Sequence, residues 1–430
     1  MGRPGKIDGA NFPVPKKGKA RLIRGRRYTA LAKTKRKKVA KQKYVRIRKK
    51  KVVLRCQNFS TALPSILGAD PKELVCMLIK DGVCKDWSGK LCPHCGKRRL
   101  GSLEDLSSSL GCVSRDASNV VTPGWRCPFH KCRKRVFPNT LHPIFAKGHG
   151  ALPLKIQAAA LFCAVTDIPQ RKAYILLGED DKPIDRVYNA WRNIAADAAK
   201  TEQEKIQLGG QKQWCDAEAD EIATKKWLVR VPQAAGRPGA AQKRKNTTVS
   251  MKKVKKEKFV KKMQWDNWLG LMQRGVHSSL ILVRLPSRMS SVRAPGPGPL
   301  TKEMWRPIAQ KWLTGRKVIL HTDSAKAYRL RVQGMKRDRV VHSKKKIGGK
   351  WVNPKYVMPA THRLPDGTTL KTLKGTQCID GLWKHLRAQI KDIHAQGDLD
   401  SRIGHFQWRW HRQGKCLWTE AGKTLSQTWV

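Results

Sequence analysis

Acidic side chains are scarce in this chain: 31 Asp and Glu stand against 90 Lys and Arg in 430 residues, a formal net charge of +59. So small a negative complement excludes a strongly basic partner and demands a polyanionic one, because phosphate neutralisation rewards lysine and arginine directly. Nucleic acid meets that demand best. Ribosomal proteins and proteins of anionic membrane surfaces share the composition, and charge alone does not choose DNA over RNA. Long apolar runs are also missing. No stretch of about 18 apolar residues occurs, and Met1 to Ala10 lacks the apolar core of a secretory signal, so the expectation is a soluble intracellular protein with no membrane partner. Cysteines number 12, too few and too unevenly placed for a disulfide scaffold; in a reducing compartment, paired cysteines point to metal.

What is present is enough for a core. With 40% hydrophobic residues over this length, two or three domains are expected. Residues 1–55 are dense in Lys and Arg with a single acid, Asp8, and have no helical or strand period, the composition of a basic disordered arm. Its runs Lys35-Arg36-Lys37-Lys38 and Arg48-Lys49-Lys50-Lys51 suit nuclear import or phosphate contact. The expected location is therefore the nucleus in a eukaryote, and the cytoplasm or nucleoid otherwise. From Pro71 the pattern turns globular: Leu74, Val75, Leu78 and Ile79 fall on one helical face, with a stop near Gly82. Residues 153–165, 169–177 and 183–199 read as three short helices, a helix-turn-helix region spanning 151–200. Its last helix carries Arg186, Asn189 and Arg192 toward the major groove, with the N-terminal arm on phosphates.

Beyond Gly209 the pattern is mixed. Strand-like runs lie at Trp214–Ile222, Lys226–Val231, Ser279–Leu285, Lys317–His321 and Arg339–His342, and helical stretches near 301–313, 324–333 and 377–394. The order predicts a multidomain α+β protein. A lysine-rich segment near 232–264 reads as a basic insertion, and 413–430 as a C-terminal tail.

Two constellations carry chemistry. In the segment 70–145, Cys92-Pro-His-Cys95-Gly sets two thiols on a tight knuckle, and Cys127-Pro-Phe-His-Lys-Cys132 supplies a second pair. Four thiolates meeting in space close a tetrahedral structural Zn2+ site. The second spacing is wide, so His130 competes with a cysteine; the flanking basic residues favour Cys127 and Cys132. The other constellation is acidic. In so basic a chain, Asp220 of Cys215-Asp-Ala-Glu-Ala-Asp-Glu221 and Asp323 of Val318-Ile-Leu-His-Thr-Asp-Ser324 stand out, each ending a β-rich run. Carboxylates on neighbouring strand ends hold a divalent cation, the cradle that two-metal phosphodiester chemistry needs. Asp216, Glu218 and Glu221 compete with Asp220 for the first position. A third acid has to come from a later helix, and Asp380 suits, sharing one helical side with Trp383, Lys384 and Arg387.

On these residues the chain resembles the ISXO-type insertion-sequence transposases and their eukaryotic relatives, the Merlin elements. The resemblance runs from about Pro71 to Arg412: a short helix leading to a Cys-Pro-x-Cys-Gly ribbon, the Asp220-Glu221 pair at a strand end, His321 to Tyr328, the block Gln377 to Arg387, and the closing stretch Phe406 to Arg412. It implies a ribonuclease H-like catalytic domain over 210–412 with Asp220, Asp323 and Asp380 as its catalytic acids. It also implies Mg2+ or Mn2+ as cofactor, double-stranded DNA (terminal repeats and target) as partner, and self-association. Lys384 and Arg387 would then lie on DNA near the cut, and Trp383, Trp408 and Trp410 are candidates for stacking on unpaired bases. Gln377 and Asp380 stand where the family favours Asn and Glu, and Arg387 where it favours Lys. The implied function is end cleavage and strand transfer; the alternative is a transposase-derived, zinc-dependent DNA-binding protein without catalysis.

Overall fold

The computed structural model describes residues 60–106, 122–147, 151–232, 259–341, 344–393 and 398–429. The basic arm, Cys56, Cys112 and most of the expected insertion lie outside the described residues. The protein is α+β, with a four-cysteine cluster in its first part and a mixed sheet flanked by helices in its second.

The first part starts with α1 (Leu63–Gly68) and α2 (Pro71–Lys80). Asp70 caps α2, its Oδ1 accepting from the Lys72 and Glu73 N–H groups at 2.9 and 3.0 Å, and Pro71 sits where its missing N–H costs nothing. Leu74, Val75 and Leu78 are buried, as their spacing requires. A small antiparallel sheet follows, β1 (Glu104–Leu106), β2 (Thr122–Arg126) and β3 (Arg135–Val136) in that order. Then come α3 (Leu154–Val165), α4 (Gln170–Leu177) and α5 (Asp181–Glu204). Gly178 closes α4 in the left-handed region at φ 68°, and its N–H reaches the Tyr174 carbonyl. Buried from Gln157 to Val165, α3 is the centre around which the others pack.

The second part is built on a sheet ordered β6-β5-β4-β8-β9: β4 (Cys215–Pro232), β5 (Phe259–Gln273), β6 (Ile281–Arg284), β8 (Val318–Thr322) and β9 (Met335–Arg339), with β7 (Arg288–Ser290) also on β5. The β4–β5–β6 pairings are antiparallel; β4–β8 and β8–β9 are parallel. Because side chains alternate along a strand, Ala217, Ala219 and Leu320 face one side, where α6 (Lys302–Leu313) buries Trp305, Ile308 and Trp312. The opposite side carries Trp268 and Met272 against Ile379, Leu382, Trp383 and Leu386 of α7 (Gln377–Ile390). Between β9 and α7 lie two hairpins: β10 (Lys345–Ile347) with β11 (Lys350–Val352), and β12 (Met358–Arg363) with β13 (Thr369–Lys374).

Several expectations are corrected. The two strands expected at 214–222 and 226–231 are one, interrupted only by a bulge between Ala223 and Lys225. Residues 259–264 of the expected insertion are strand, pairing with the outer half of β4, so lysines there decorate an edge of a hairpin instead of a loop. The expected helix at 324–333 is a short 3-10 turn, Lys326–Arg329, because Ala327 and Tyr328 are buried side by side and leave no helical stripe to continue. The third parallel strand ends at Arg339, where the expected one began. The expected tail contains α9 (Leu417–Ser426), whose Trp418, Ala421 and Leu425 recur at helical spacing and bury against α3 and α5. It meets the end of α2, where Trp418 Nε1 donates to Asp81 at 2.7 Å. Beside it α8 (Asp398–His411) lies along α5, with Gly404 against Ala196. No helix among the described residues is long and apolar enough to cross a membrane.

Candidate metal centres

Cys92, Cys95, Cys127 and Cys132 bring their sulfurs within 4.8 Å of one another. The Cys92–Cys132 separation is 3.9 Å and Cys95–Cys127 is 3.7 Å. A tetrahedron of about 2.3 Å metal–sulfur bonds has edges of about 3.8 Å, so the spacing fits Zn2+. Gly96, at φ 65°, supplies the left-handed turn of the first knuckle, and its N–H reaches the Cys92 carbonyl. The Lys97 backbone N–H draws the Cys95 thiol down to about 7. In the second knuckle the Cys132 and Arg133 N–H groups both reach the Phe129 carbonyl, a tight turn that absorbs the two extra residues. His130 is exposed, edge-on to Phe129, and outside the cluster; Cys132 is the fourth ligand position. Val75, Trp87, Leu100, Trp125 and Val136 wrap the sulfurs, leaving a closed site of the structural kind.

The acidic centre forms on the α7 side of the sheet. Asp216, Glu218 and Asp220 alternate along β4, and the register pairs Glu218 with His321 of β8. Carried two residues further, that register sets Asp323 beside Asp220. The carboxylate oxygens of Asp220, Glu221 and Asp323 lie within 4.8 Å of one another. Trp383 Nε1 donates to Asp220 at 3.0 Å, and Asp323 Oδ1 accepts the Ala325 N–H at 2.8 Å. Burial pushes Asp220 up to about 7, helped by Glu221, with Asp380 and Asp323 adding to it; burial and Asp323 push Glu221 up to about 7 as well. Glu221 Oε1 is buried with no hydrogen-bond partner. Trp383 at Asp220, and Tyr328 and Arg288 at Glu221, offset the crowding only in part; like charge around a buried oxygen is what a hard divalent cation resolves, and the all-oxygen donor set suits Mg2+ or Mn2+.

Of the competing acids of β4, Glu221 joins the cluster and the other two are occupied elsewhere. Asp216 Oδ1 pairs with His321 Nε2 at 2.9 Å, and Asp338 of β9 joins His362 of β12 at 2.7 Å. Glu218, fully buried, takes Arg274 Nε at 2.7 Å and the Ile379 N–H at 2.9 Å. Arg274 also donates to the Leu373 and Gly375 carbonyls at 2.5 and 2.7 Å. That knot binds the ends of β5 and β13 to the first turn of α7, and nothing in the spacing of Glu218 and Arg274 signals it.

Asp380 is not among the three clustered acids. It is exposed in that first turn, accepting from Thr376 Oγ1 at 3.2 Å, and it reaches Asp220 only through its charge. Lys384 and Arg387 are exposed further along α7. Arg186 and Asn189 are exposed on α5, but Arg192 is only 9% exposed. Its guanidinium lies over Tyr188 and donates to Asn189 Oδ1 at 3.3 Å, so its expected role at a DNA base is withdrawn in favour of packing. The expected stacking tryptophans are likewise packing residues. Trp383 and Trp408 are buried, the latter bonded to Thr424, and Trp410 lies against Phe406 and His277. A scan of the chain against protein-family models finds no match, and neither does a search of curated proteins.

Proposed function

We propose that this protein is a DNA transposase of the ISXO type, binding transposon ends through its basic surface and zinc ribbon and cleaving and joining strands at the Asp220–Asp323 centre. One observation carries the reading: two acids far apart in sequence, Asp220 on β4 and Asp323 just past the end of the parallel β8, bring their oxygens together, with Glu221 completing a cluster that burial and mutual repulsion prime for a cation. The half-antiparallel, half-parallel sheet with α7 across its acidic face supports a ribonuclease H-like arrangement. The +59 charge supports a nucleic-acid substrate.

Bound divalent cations supply charge neutralisation at the scissile phosphate and lower the pKa of the attacking water or terminal hydroxyl. The protein's part is positional. Asp220, Asp323 and Glu221 hold the cations, the Trp383 N–H fixes the Asp220 carboxylate, and the α7 first turn offers Asp380 as a further oxygen. Lys384 and Arg387, exposed on the same helix, meet the DNA backbone. The test is a nicking and strand-transfer assay with purified protein, Mg2+ or Mn2+, and DNA carrying the ends that flank its gene. Products that vanish in Asp323→Ala support the enzyme.

The placement of Asp380, hydrogen-bonded to Thr376 and outside the oxygen cluster, favours a second reading: a transposase-derived DNA-binding protein that no longer cuts. Tight end binding with no product from either protein would establish it.

A further inference from the structure

The tryptophans named as stacking candidates are buried or, for Trp410, partly buried, yet one indole is exposed. Trp351 is 69% exposed, the rarest state for so large an apolar side chain. It sits on β11 in a hairpin closed by Gly348 and Gly349, with φ of 55° and 80°. A two-residue turn with both φ positive matches the strand twist and fixes the register. That register sets Lys346 directly across from Trp351. Carrying the alternation outward puts Lys344 and Asn353 on the same face, and all four side chains are exposed. The β10–β11 ribbon is a separate two-stranded sheet. One face thus carries an indole across from one lysine and diagonal to another, and residues 344–353 contain no acid.

Such a face fits one chemistry. Indoles stack on any unpaired base, and lysines spaced along a strand hold the phosphates that flank it. The place in the fold agrees: the arm leaves the sheet after Asp338, held to His362, and the chain returns at Gly375, held to Arg274. Both anchors belong to the face that carries Asp220. We propose that the β10–β11 hairpin is a nucleic-acid clasp, Trp351 stacking on an unpaired base while Lys344 and Lys346 hold the adjacent phosphates. The proposal rests on the nucleic-acid reading above and is independent of whether strands are cut.

The test uses the full chain without divalent cations and 2-aminopurine oligonucleotides: a single strand, a duplex with the probe base unpaired, and a fully paired duplex. Trp351→Ala is expected to abolish quenching of the unpaired probe and to weaken single-strand binding about ten-fold, with paired-duplex binding changed less than about two-fold. Trp351→Phe, which keeps an aromatic face, should retain most of both. Lys346→Ala should lower the salt slope by about one on every substrate. Unchanged quenching and affinity in Trp351→Ala overturn the proposal and leave the indole to a protein partner; an equal loss on the paired duplex overturns the stacking role. A parent protein that quenches the unpaired probe here, yet gives no product in the separate Mg2+ or Mn2+ cleavage assay, sinks the transposase reading while keeping this one.

Discussion

Two clusters of metal-type ligands form in this protein by opposite routes. The sulfurs come from two short knuckles, each a local turn, and a private apolar core of Trp87, Trp125 and Val136 seals them. The carboxylates come from one strand, where Asp220 and Glu221 point to opposite faces, and from Asp323, just past the end of the neighbouring strand. Soft thiolates, two buried and two partly so, that fill all four tetrahedral positions make a site that holds structure; hard oxygens, each partly open and repelling one another, make a site that waits for ligand. The first cluster is part of the fold's stability, the second works against it.

That contrast breaks first at the thiols. Replacing Cys127 with Ser, or stripping metal with a chelator, should reduce bound zinc from one per chain to none and unfold the ribbon, a loss on the order of 10 kcal/mol of metal-coupled folding. Metal analysis with limited proteolysis across 85–136 reads it, and a protease-resistant ribbon without zinc would refute the structural role. Next in size is Arg274→Ala, which leaves Glu218 buried and unpaired and frees the α7 first turn; about 3–5 kcal/mol should be lost in chemical denaturation. A change below about 1 kcal/mol would mean that the knot does not hold α7 to the sheet.

The two regions should also answer pH in opposite senses. Asp220 and Glu221 have folded values of about 7, above their unfolded ones. Folding takes up protons there, so their stabilisation is full below about pH 4 and is lost as pH rises through about 7, on the order of 3–4 kcal/mol for each carboxyl in cation-free protein. Mn2+ should restore it. His142, in the first part, goes the other way. Its Nε2 faces the Val83 carbonyl at 2.9 Å, its Nδ1 accepts from the Ile144 and Phe145 N–H groups, and burial lowers it to about 4. Its contribution is full above about pH 6.5 and falls away toward pH 4, again by about 3 kcal/mol. Thermal melts across pH 4–8, with and without Mn2+ and with His142→Gln, separate the two; a stability curve that Mn2+ leaves unmoved at pH 7 argues against the acid centre.

Legibility in the sequence follows the same division. The tight knuckle spacing names Cys92 and Cys95, while the wider second pair leaves His130 in competition and the flanking basic residues favour Cys127 and Cys132; the helices of 154–204 are plain because apolar residues recur every three or four positions. Asp220 and Asp323 were legible as acids ending apolar runs. Their register was not, since it depends on which strands pair. β5 escaped notice because its outer half, Phe259-Val-Lys-Lys-Met-Gln264, reads as basic loop, while its inner half is buried on both faces from Asp266 to Met272 and shows no alternation. Arg192 looked like a DNA contact because it lies with Arg186 and Asn189 on the last helix of the helix-turn-helix region; that it alone of the three is buried depends on packing that the local pattern does not show. Trp351 passed unremarked because nothing local distinguishes an exposed indole from a buried one.

The smallest expected effect tests how the acidic centre is held. Gly270 lies opposite Asp220 on β5, and a Cβ there would meet Trp383 Cη2 at 2.5 Å and Cζ2 at 2.8 Å. The missing side chain is what lets the indole lie flat on the sheet and bring its N–H to Asp220. Gly270→Ala must therefore push Trp383 outward and weaken the 3.0 Å bond, at a cost of about 1–2 kcal/mol in overpacking. The ribbon, remote in contacts, should keep its zinc unchanged. The telling readout is Mn2+ affinity, followed by titration of the melting temperature. Asp220 deprived of its donor should be held less firmly, and affinity should fall several-fold; Trp383→Phe, which removes the donor without crowding, should reproduce the affinity loss with a smaller loss of stability. If both variants bind Mn2+ as the parent does, Trp383 packs α7 onto the sheet and does nothing for the carboxylate beside it.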